Sequence, residues 1–198
     1  MFSLSVVSIS LWVFLSVVVA VTAWLLFWSL VSFLVNRSHY HKKFVEGRAP
    51  QTPPQGFYKG TAHILFDKPV PWLGKSFESS TQLGFNIFTP LGAKILKIST
   101  PLYKRFGTNK DGNTDAYYFK TRTEAGLKDP QVKVIKLDYD ARGNPVLIRI
   151  ILDEIVEVAP EKHLGKIHLK VFPGFYSTIG YFSLEKAEAK SETIATAA

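Results

Sequence analysis

The sequence of 198 residues predicts a mainly β protein. A single N-terminal transmembrane α-helix precedes an antiparallel β-barrel or half-barrel that carries one short basic amphipathic helix. Three observations predict this fold class: an uncharged apolar N-terminus, later segments that alternate apolar with polar side chains, and turn-forming clusters between those segments. The predicted regions are a transmembrane helix over 1–35, a juxtamembrane linker over 36–56, a barrel domain over 57–185 and a flexible tail over 186–198.

The transmembrane prediction rests on a run without Asp, Glu, Lys, Arg or His from Met1 to Val35. Roughly 20 apolar residues suffice to span a bilayer. A cleavable signal peptide is one alternative, but its apolar core is only about 7 to 15 residues long and follows a basic segment. A buried helix of a soluble domain is another, but a helix this long and apolar all round needs a larger protein around it. Trp24 and Trp28 are candidates for the aromatic belt at the membrane surface.

The charges that flank the apolar run predict its orientation. Only the terminal amine precedes the run, whereas four basic residues follow it. Because basic residues favour the cytoplasmic side, the sequence predicts a single-pass protein with a cytoplasmic C-terminal domain. The linker over 36–56 is polar, basic and then rich in Pro, which predicts an extended spacer. The basic residues, which are also candidate membrane-surface residues, are Arg37, Lys42, Lys43 and Arg48.

The region after the apolar run is basic. All 24 Lys and Arg and all 16 Asp and Glu lie after residue 35, and they give a formal net charge of +8. Such a surplus suits anionic partners, either nucleic acid or acidic lipid head groups. Beside a membrane anchor the lipid bilayer is the simpler partner, so no nucleic-acid partner is predicted. The absence of Cys excludes disulfides, thiolate metal sites and cysteine nucleophiles.

Short runs of β-branched and aromatic residues from Phe57 onward predict an antiparallel sheet. Turn-forming clusters at 111–113, 140–145 and 159–165 separate such runs, so consecutive strands should pair as hairpins. Alternation over 131–137 and 166–171 gives each of these strands one buried face and one solvent face. The predicted strands are 58–65, 84–88, 116–122, 132–138, 146–151, 154–158, 166–171 and 177–184.

Two short motifs resemble a known family. Residues 56–60, GFYKG, are similar to the G-x-W-x-G motif at the start of lipocalin-like (calycin) barrels, with Tyr58 where Trp is usual. Residues 72–77, WLGKSF, resemble the W-x-G-K-x-F element of a family of bacterial and fungal G-x-W-x-G domains of unknown function. The resemblance covers residues 56–185 and implies a small β-barrel or half-barrel without an established activity. A barrel of about eight strands is either filled by side chains or holds one small apolar ligand.

Residues 91–98, LGAKILKI, predict the short basic amphipathic helix. Lys94 and Lys97 lie nearer the face opposite the apolar one and are further membrane-surface candidates. Such a helix lies on an anionic bilayer or caps the mouth of a barrel. An ordinary helix that plugs the barrel and leaves its basic edge in solvent is the alternative. The apolar face consists of Leu91, Ile95 and Ile98.

Aromatic side chains are dense in the predicted barrel. They suit the wall of an apolar cavity, and they suit a filled core equally well. His63 interrupts the first predicted strand, and Arg149 lies in an apolar run where an inward side chain would bind a ligand carboxylate. Both also have an ordinary surface interpretation. The candidate ligand-binding residues are Tyr58, His63, Trp72, Phe85, Tyr118, Arg149 and Tyr181.

Catalytic and cofactor motifs are absent from the sequence, which contains no P-loop, dinucleotide glycine motif, nucleophile elbow or zinc motif. The chain is therefore predicted to be no enzyme and to have no metal or cofactor site. Two functional hypotheses remain. The first is a membrane-anchored module that binds an apolar or amphiphilic small molecule, for example a lipid. The second is a non-catalytic accessory subunit whose filled barrel and membrane helix pack against membrane protein partners.

Overall fold

The computed structural model describes residues 3–63 and 70–187, with side chains from Ser10 onward. A long N-terminal helix and a short second helix precede a sheet of nine strands, and two further short helices interrupt that sheet. Most of the tail predicted over 186–198 lies outside the described residues. The elements are α1 Ser3–Asn36, α2 His39–Glu46, β1 Gly56–His63, β2 Trp72–Glu78, β3 Leu83–Phe88, α3 Pro90–Ser99, β4 Gly107–Thr108, β5 Thr114–Ala125, β6 Lys133–Asp138, α4 Val146–Arg149, β7 Ile151–Ala159, β8 Lys162–Phe172 and β9 Phe175–Lys186.

Eight strands close into an antiparallel up-and-down barrel, which confirms the predicted fold class. Each strand pairs with the next from β1 to β3 and again from β5 to β9. β3 pairs with β5, and β9 pairs with β1 in a register that places His63 opposite Tyr181. The two-residue strand β4 pairs with the start of β5. Closure therefore pairs both edges of the sheet, which would otherwise be open to other chains.

Alternation of side chains along the strands produces two apolar cores, one inside the barrel and one outside it. The inner core consists of aromatic and aliphatic side chains such as Phe77, Phe119 and Ile155. The outer core lies under α2, where the fully buried Phe44 belongs to a cluster with Val156. The outer core attaches the segment after α1 to the barrel wall.

The barrel has two different ends. The mouth end carries the connection from β1 to β2, the connection from β3 to β5 with α3, the connection from β6 to β7 with α4, and the β8–β9 hairpin. The base end carries the shorter connections from β2 to β3, from β5 to β6 and from β7 to β8. Helices α3 and α4 therefore lie at the same end of the barrel.

The predicted strands differ from the structure in several places. The turn predicted over 159–165 includes residues 162–165, which belong to β8, and the short strand β4 is not predicted. Residues 64–65 of the first predicted strand lie outside the described residues. A strand is predicted over 146–151, but Val146–Arg149 forms the helical turn α4. Pro145 precedes this turn with a φ of −59°, and its carbonyl accepts from the amides of Ile148 and Arg149, so a helical turn begins there. The sequence prediction also omits β2. Gly74 and Lys75 interrupt the apolar alternation of that segment, which conceals the strand.

The first half of the linker differs from the extended spacer predicted over 36–56, because it contains α2. Tyr40 and Phe44 are one turn apart, so α2 has an apolar face, and this face packs against the barrel. After α2, the backbone of Arg48 pairs with that of Glu157 in β7. The linker is therefore attached to the barrel along much of its length.

Helix α3 agrees with the predicted amphipathic element, but the face that packs against the barrel is not the predicted apolar face. Gly92 and Ala93 are buried against the barrel. A Cβ at Gly92 would lie 2.5 Å from the carbonyl oxygen of Pro71, so only the smallest residue permits this close approach. Leu96 packs against the inner core, whereas the other three large apolar side chains of α3 are on its outer face. These exposed residues are Leu91, Ile95 and Ile98.

Candidate functional site

A cavity of about 270 Å³ lies inside the barrel at its mouth end. Its wall is mostly apolar, and a cluster of four polar side chains forms what we call the polar floor. Val70 and Ile148, which belong to connections at the mouth end, line the cavity, so it opens at that end. Further wall residues are Trp72, Phe88, Ile167 and Phe182, and the polar floor consists of Lys75, Asn86, Tyr139 and Asp153.

The polar floor is a hydrogen-bonded network around the Lys75 ammonium group. Lys75 Nζ donates to Asn86 Oδ1 and to Asp153 Oδ2, each at 2.9 Å, and also to the Tyr139 hydroxyl. The Tyr139 hydroxyl donates to Asp153 Oδ2 at 3.1 Å. Asn86 Nδ2 donates to the Tyr117 carbonyl at 3.1 Å, which attaches the network to β5. All three N–H groups of the Lys75 ammonium therefore have acceptors.

Burial alters the ionisation of this network. Removal from water lowers the pKa of Lys75 below its ordinary value, and the neighbouring Asp153 carboxylate opposes part of that change. Burial also raises the pKa of Tyr139 well above its ordinary value, and the charge of Asp153 acts in the same direction. The Lys75–Asp153 ion pair is neutral as a whole, and four aromatic rings surround its ammonium group. The rings whose centroids lie 4.9 to 5.4 Å from Lys75 Nζ belong to Trp72, Phe119, Tyr139 and Phe182.

One acceptor of the polar floor lacks a hydrogen bond. Asp153 Oδ2 accepts from both Lys75 and Tyr139, whereas Asp153 Oδ1 is buried and has no donor among the described residues. A buried oxygen of a carboxylate is costly unless a donor satisfies it. Asp153 lines the cavity, so this carboxylate brings a negative charge to the end of the cavity where the N–H groups of Lys75 are already used.

The two motif segments lie side by side and shape one wall of the cavity. They form the neighbouring strands β1 and β2. A Cβ at Gly60 would lie 2.3 Å from the Trp72 ring, and a Cβ at Gly74 would lie 2.0 Å from the Tyr58 carbonyl oxygen. Both positions therefore require glycine. In this arrangement the Trp72 ring packs against Gly60, and its Nε1 donates to Asn86 Oδ1 at 3.0 Å.

Of the seven predicted ligand-binding residues, the structure brings Trp72 to the cavity wall. Tyr58 is buried in the inner core beside Phe77, with ring centroids 5.6 Å apart. Phe85 and Tyr118 contact each other, with ring centroids 5.6 Å apart, and both are half-buried. These three predicted residues therefore lie away from the cavity.

The remaining three predicted ligand-binding residues lie on the outside of the barrel. His63 contacts the Tyr40 hydroxyl of α2 at 3.0 Å. Tyr181 is buried beside α1, where its hydroxyl donates to Asn36 Oδ1 at 3.0 Å. Arg149 forms an ion pair at the protein surface. The structure gives all three residues contacts with neighbouring elements instead of the cavity.

Sequence reasoning missed the polar floor, although strand alternation contains a signal for two of its residues. Asp153 is in phase with Ile155, and Lys75 is in phase with Phe77; both apolar partners belong to the inner core. Charged strand residues are ordinarily assigned to solvent, because they are seldom fully buried unless they are paired. The pairing partner is far away in the sequence, so no local pattern indicates it.

The predicted membrane-surface residues fall into two separate groups. Lys94 and Lys97 are exposed on α3 at the mouth end. The second group follows α1 towards the base end, where Arg48 forms an ion pair with Glu157 at 3.5 Å. The structure therefore does not bring the two groups together. The second group consists of Arg37, Lys42, Lys43 and Arg48.

Residues 3–63 and 70–187 contain no group of three or more His, Asp or Glu side chains that could hold a metal ion. Comparison with protein-family models, with curated proteins and with solved structures gives no match for this chain. Function is therefore inferred from the cavity, its polar floor and the apolar helix.

Proposed function

We propose that this protein is a membrane-anchored, lipocalin-like barrel that binds one small apolar or amphiphilic molecule in the cavity at its mouth end. The main support is the combination of an apolar wall with a buried polar floor. Ligand pockets typically have this composition and volumes of about 300 to 1,000 Å³. A cavity of about 270 Å³ suits a small molecule or part of a single lipid chain.

The polar floor favours a ligand whose buried end is neutral and donates a hydrogen bond. A hydroxyl or amide N–H group can donate a hydrogen bond to the acceptors of the polar floor without bringing a further charge into the cavity. A carboxylate would instead face the negative Asp153 side chain and would find the Lys75 donors already occupied. A fatty alcohol should consequently bind better than a fatty acid of the same length.

Membrane anchoring is supported by α1. Over Ser10–Asn36 this helix is long and apolar enough to cross a bilayer, and none of its most apolar window is buried in the fold. The core helix of a soluble protein would be mostly buried. The positive-inside tendency still predicts that the barrel is on the cytoplasmic side.

Photo-crosslinking with a diazirine-bearing fatty alcohol tests the binding site on the delipidated full-length protein. We expect the label on peptides that contain Trp72 or Ile167, and we expect dodecanol to compete at least tenfold better than dodecanoate. Ile167→Trp fills the cavity and should abolish this labelling, whereas Val158→Trp, at an exposed position of the base end, should not. Equal labelling of the two variants would disprove the proposed site.

The accessory-subunit function is favoured by a different feature of the molecule. Beside the barrel, α1 carries a row of apolar side chains that are each more than half exposed. Exposed apolar surface of this kind is typical of contacts with lipid or with another protein. Native mass spectrometry of the full chain distinguishes the two functions, because the binding module predicts a copurified small molecule and the accessory subunit predicts a stoichiometric membrane protein. The exposed residues are Phe27, Leu30, Phe33 and Leu34.

A further inference from the structure

Helix α1 leaves the barrel at the mouth end. Ser177 Oγ donates to the Trp28 carbonyl at 2.7 Å, and the Tyr181 hydroxyl donates to Asn36 Oδ1 at 3.0 Å, so α1 and β9 run in the same direction. β9 begins two residues before Ser177, which adds only about 7 Å of strand. From Trp28 back to Ser3, α1 extends for about 38 Å. This length exceeds the hydrocarbon thickness of a bilayer, about 30 Å.

The contact between α1 and the barrel is a specific polar joint. Ser32 is buried, and its Oγ accepts from Lys128 Nζ at 2.9 Å and from the Thr178 amide at 3.2 Å. Thr178 is also buried. Buried polar groups hold their partners in place, because any shift would leave them without hydrogen bonds. The direction in which α1 leaves the barrel is therefore set by the fold.

The rim of the mouth end is apolar and exposed. Leu102, which follows α3, is 92% exposed, and Ile98 in α3 is 82% exposed. Leu147 in α4 and Phe172 in the β8–β9 hairpin are also exposed. Side chains of this kind at a barrel end gain free energy when a lipid interface covers them. Because α1 leaves the barrel at the same end, the rim faces the side on which α1 continues as an apolar helix.

Basic side chains accompany the apolar rim. Lys94 and Lys97 are exposed on α3, and Lys104 and Arg105 are exposed in the segment that follows it. Lys97 Nζ lies 5.7 Å from the centroid of the Phe106 ring. Lys and Arg side chains beside an apolar surface that contacts a bilayer are attracted by acidic lipid head groups. Both the charge and the apolar surface of the mouth end thus match an anionic bilayer.

We infer that the mouth end of the barrel is seated in the head-group layer of an anionic bilayer, with its apolar rim inserted and its basic residues on lipid phosphates. This inference rests on the proposed membrane anchoring by α1, but it does not require that the cavity is occupied. One consequence is that the cavity opens into the lipid layer, so an apolar ligand can exchange with the membrane without crossing water. Another is that Lys42 and Arg48, nearer the base end, lie on the water side.

Single-cysteine variants test this placement, because the chain contains no Cys. Labels are placed at Leu102 and Leu147 on the rim, at Leu83 and Val158 as exposed apolar controls of the base end, and at Val18 in α1. Each full-length variant carries an environment-sensitive fluorophore and is reconstituted into phosphatidylcholine–phosphatidylglycerol vesicles with nitroxide-labelled lipids. We expect blue-shifted, quenched emission at the rim positions, quenching by deep nitroxides at Val18, and water-like emission at the controls.

Two outcomes would contradict the inference, and they are distinguishable. Rim labels that emit like the controls while the Val18 label is quenched would overturn the seated mouth and leave the anchor intact; another protein would then be the occupant of the rim. A Val18 label without quenching would overturn the anchor and the inference together. Lys94→Glu/Lys97→Glu should at least halve the quenching at Leu102 in anionic vesicles but not in neutral ones. The matched base-end variant, in which the exposed Lys59 and Lys133 are both replaced by Glu, should have no such effect.

Discussion

Removing the Lys75 ammonium group should destabilise the barrel strongly, and removing its partner as well should reverse most of the loss. In Lys75→Met, the Asp153 carboxylate stays in an enclosed site, where it is only 4% exposed. Removing one partner of a buried ion pair costs about 3 to 5 kcal/mol, because the other charge is left uncompensated. In Lys75→Met/Asp153→Leu no charge remains, and the free energy of unfolding should return to within about 2 kcal/mol of the parent.

Denaturant unfolding of the full-length protein in detergent, followed by near-ultraviolet circular dichroism, measures these free energies for the parent, the two single variants and the double variant. The coupling energy of this cycle should be about 3 kcal/mol. The exposed pair of Arg149 and Asp140, with Nη2 and Oδ1 2.6 Å apart, is the control, and its coupling should stay below about 1 kcal/mol. If the losses of the two single variants simply add in the double variant, Lys75 and Asp153 do not form the pair on which the polar floor depends.

Three further predictions concern other parts of the barrel. Burial lowers the pKa of His163, so the unfolded chain binds a proton at this residue more readily than the folded protein does. The free energy of unfolding should therefore fall as the pH drops below about 6.5. His163→Phe should flatten this pH dependence in denaturant titrations between about pH 5 and pH 7. Gly74→Ala places a Cβ 2.0 Å from the Tyr58 carbonyl oxygen and should lower the free energy of unfolding by more than about 3 kcal/mol. The control Gly112→Ala, whose Cβ would have nothing within 4 Å, should lower it by about 1 to 2 kcal/mol. Equal shifts of the two variants in thermal melts would contradict the packing of β2 on β1. Phe44→Ala removes a fully buried ring and should lower the free energy of unfolding by about 3 to 5 kcal/mol. Amide hydrogen exchange over His39–Glu46 should become faster. Unchanged exchange would show that this ring does not hold α2 on the barrel.

The polar floor illustrates why a candidate site was only partly predictable from the sequence. Trp72 belongs to a recognisable motif and reaches the cavity wall. Lys75 lies in the same motif, but its partner Asp153 is 78 residues away in the chain. A charged side chain is assigned to the interior only when its partner is known, since an unpaired buried charge is costly. That partner became visible only once β2 and β7 were placed in the same closed barrel.

The long apolar helix, the antiparallel β class and the short helix α3 could be predicted from the sequence, because each depends on a pattern within a few neighbouring residues. Three further features are visible only in the folded protein: β9 returns to β1, α3 leaves Leu91, Ile95 and Ile98 exposed while Leu96 packs on the inner core, and α1 leaves at the mouth end. These features depend on contacts between residues far apart in the chain, and on whether a small residue such as Gly92 permits close approach. Local periodicity gives each element two faces, and packing in three dimensions selects the face that is buried.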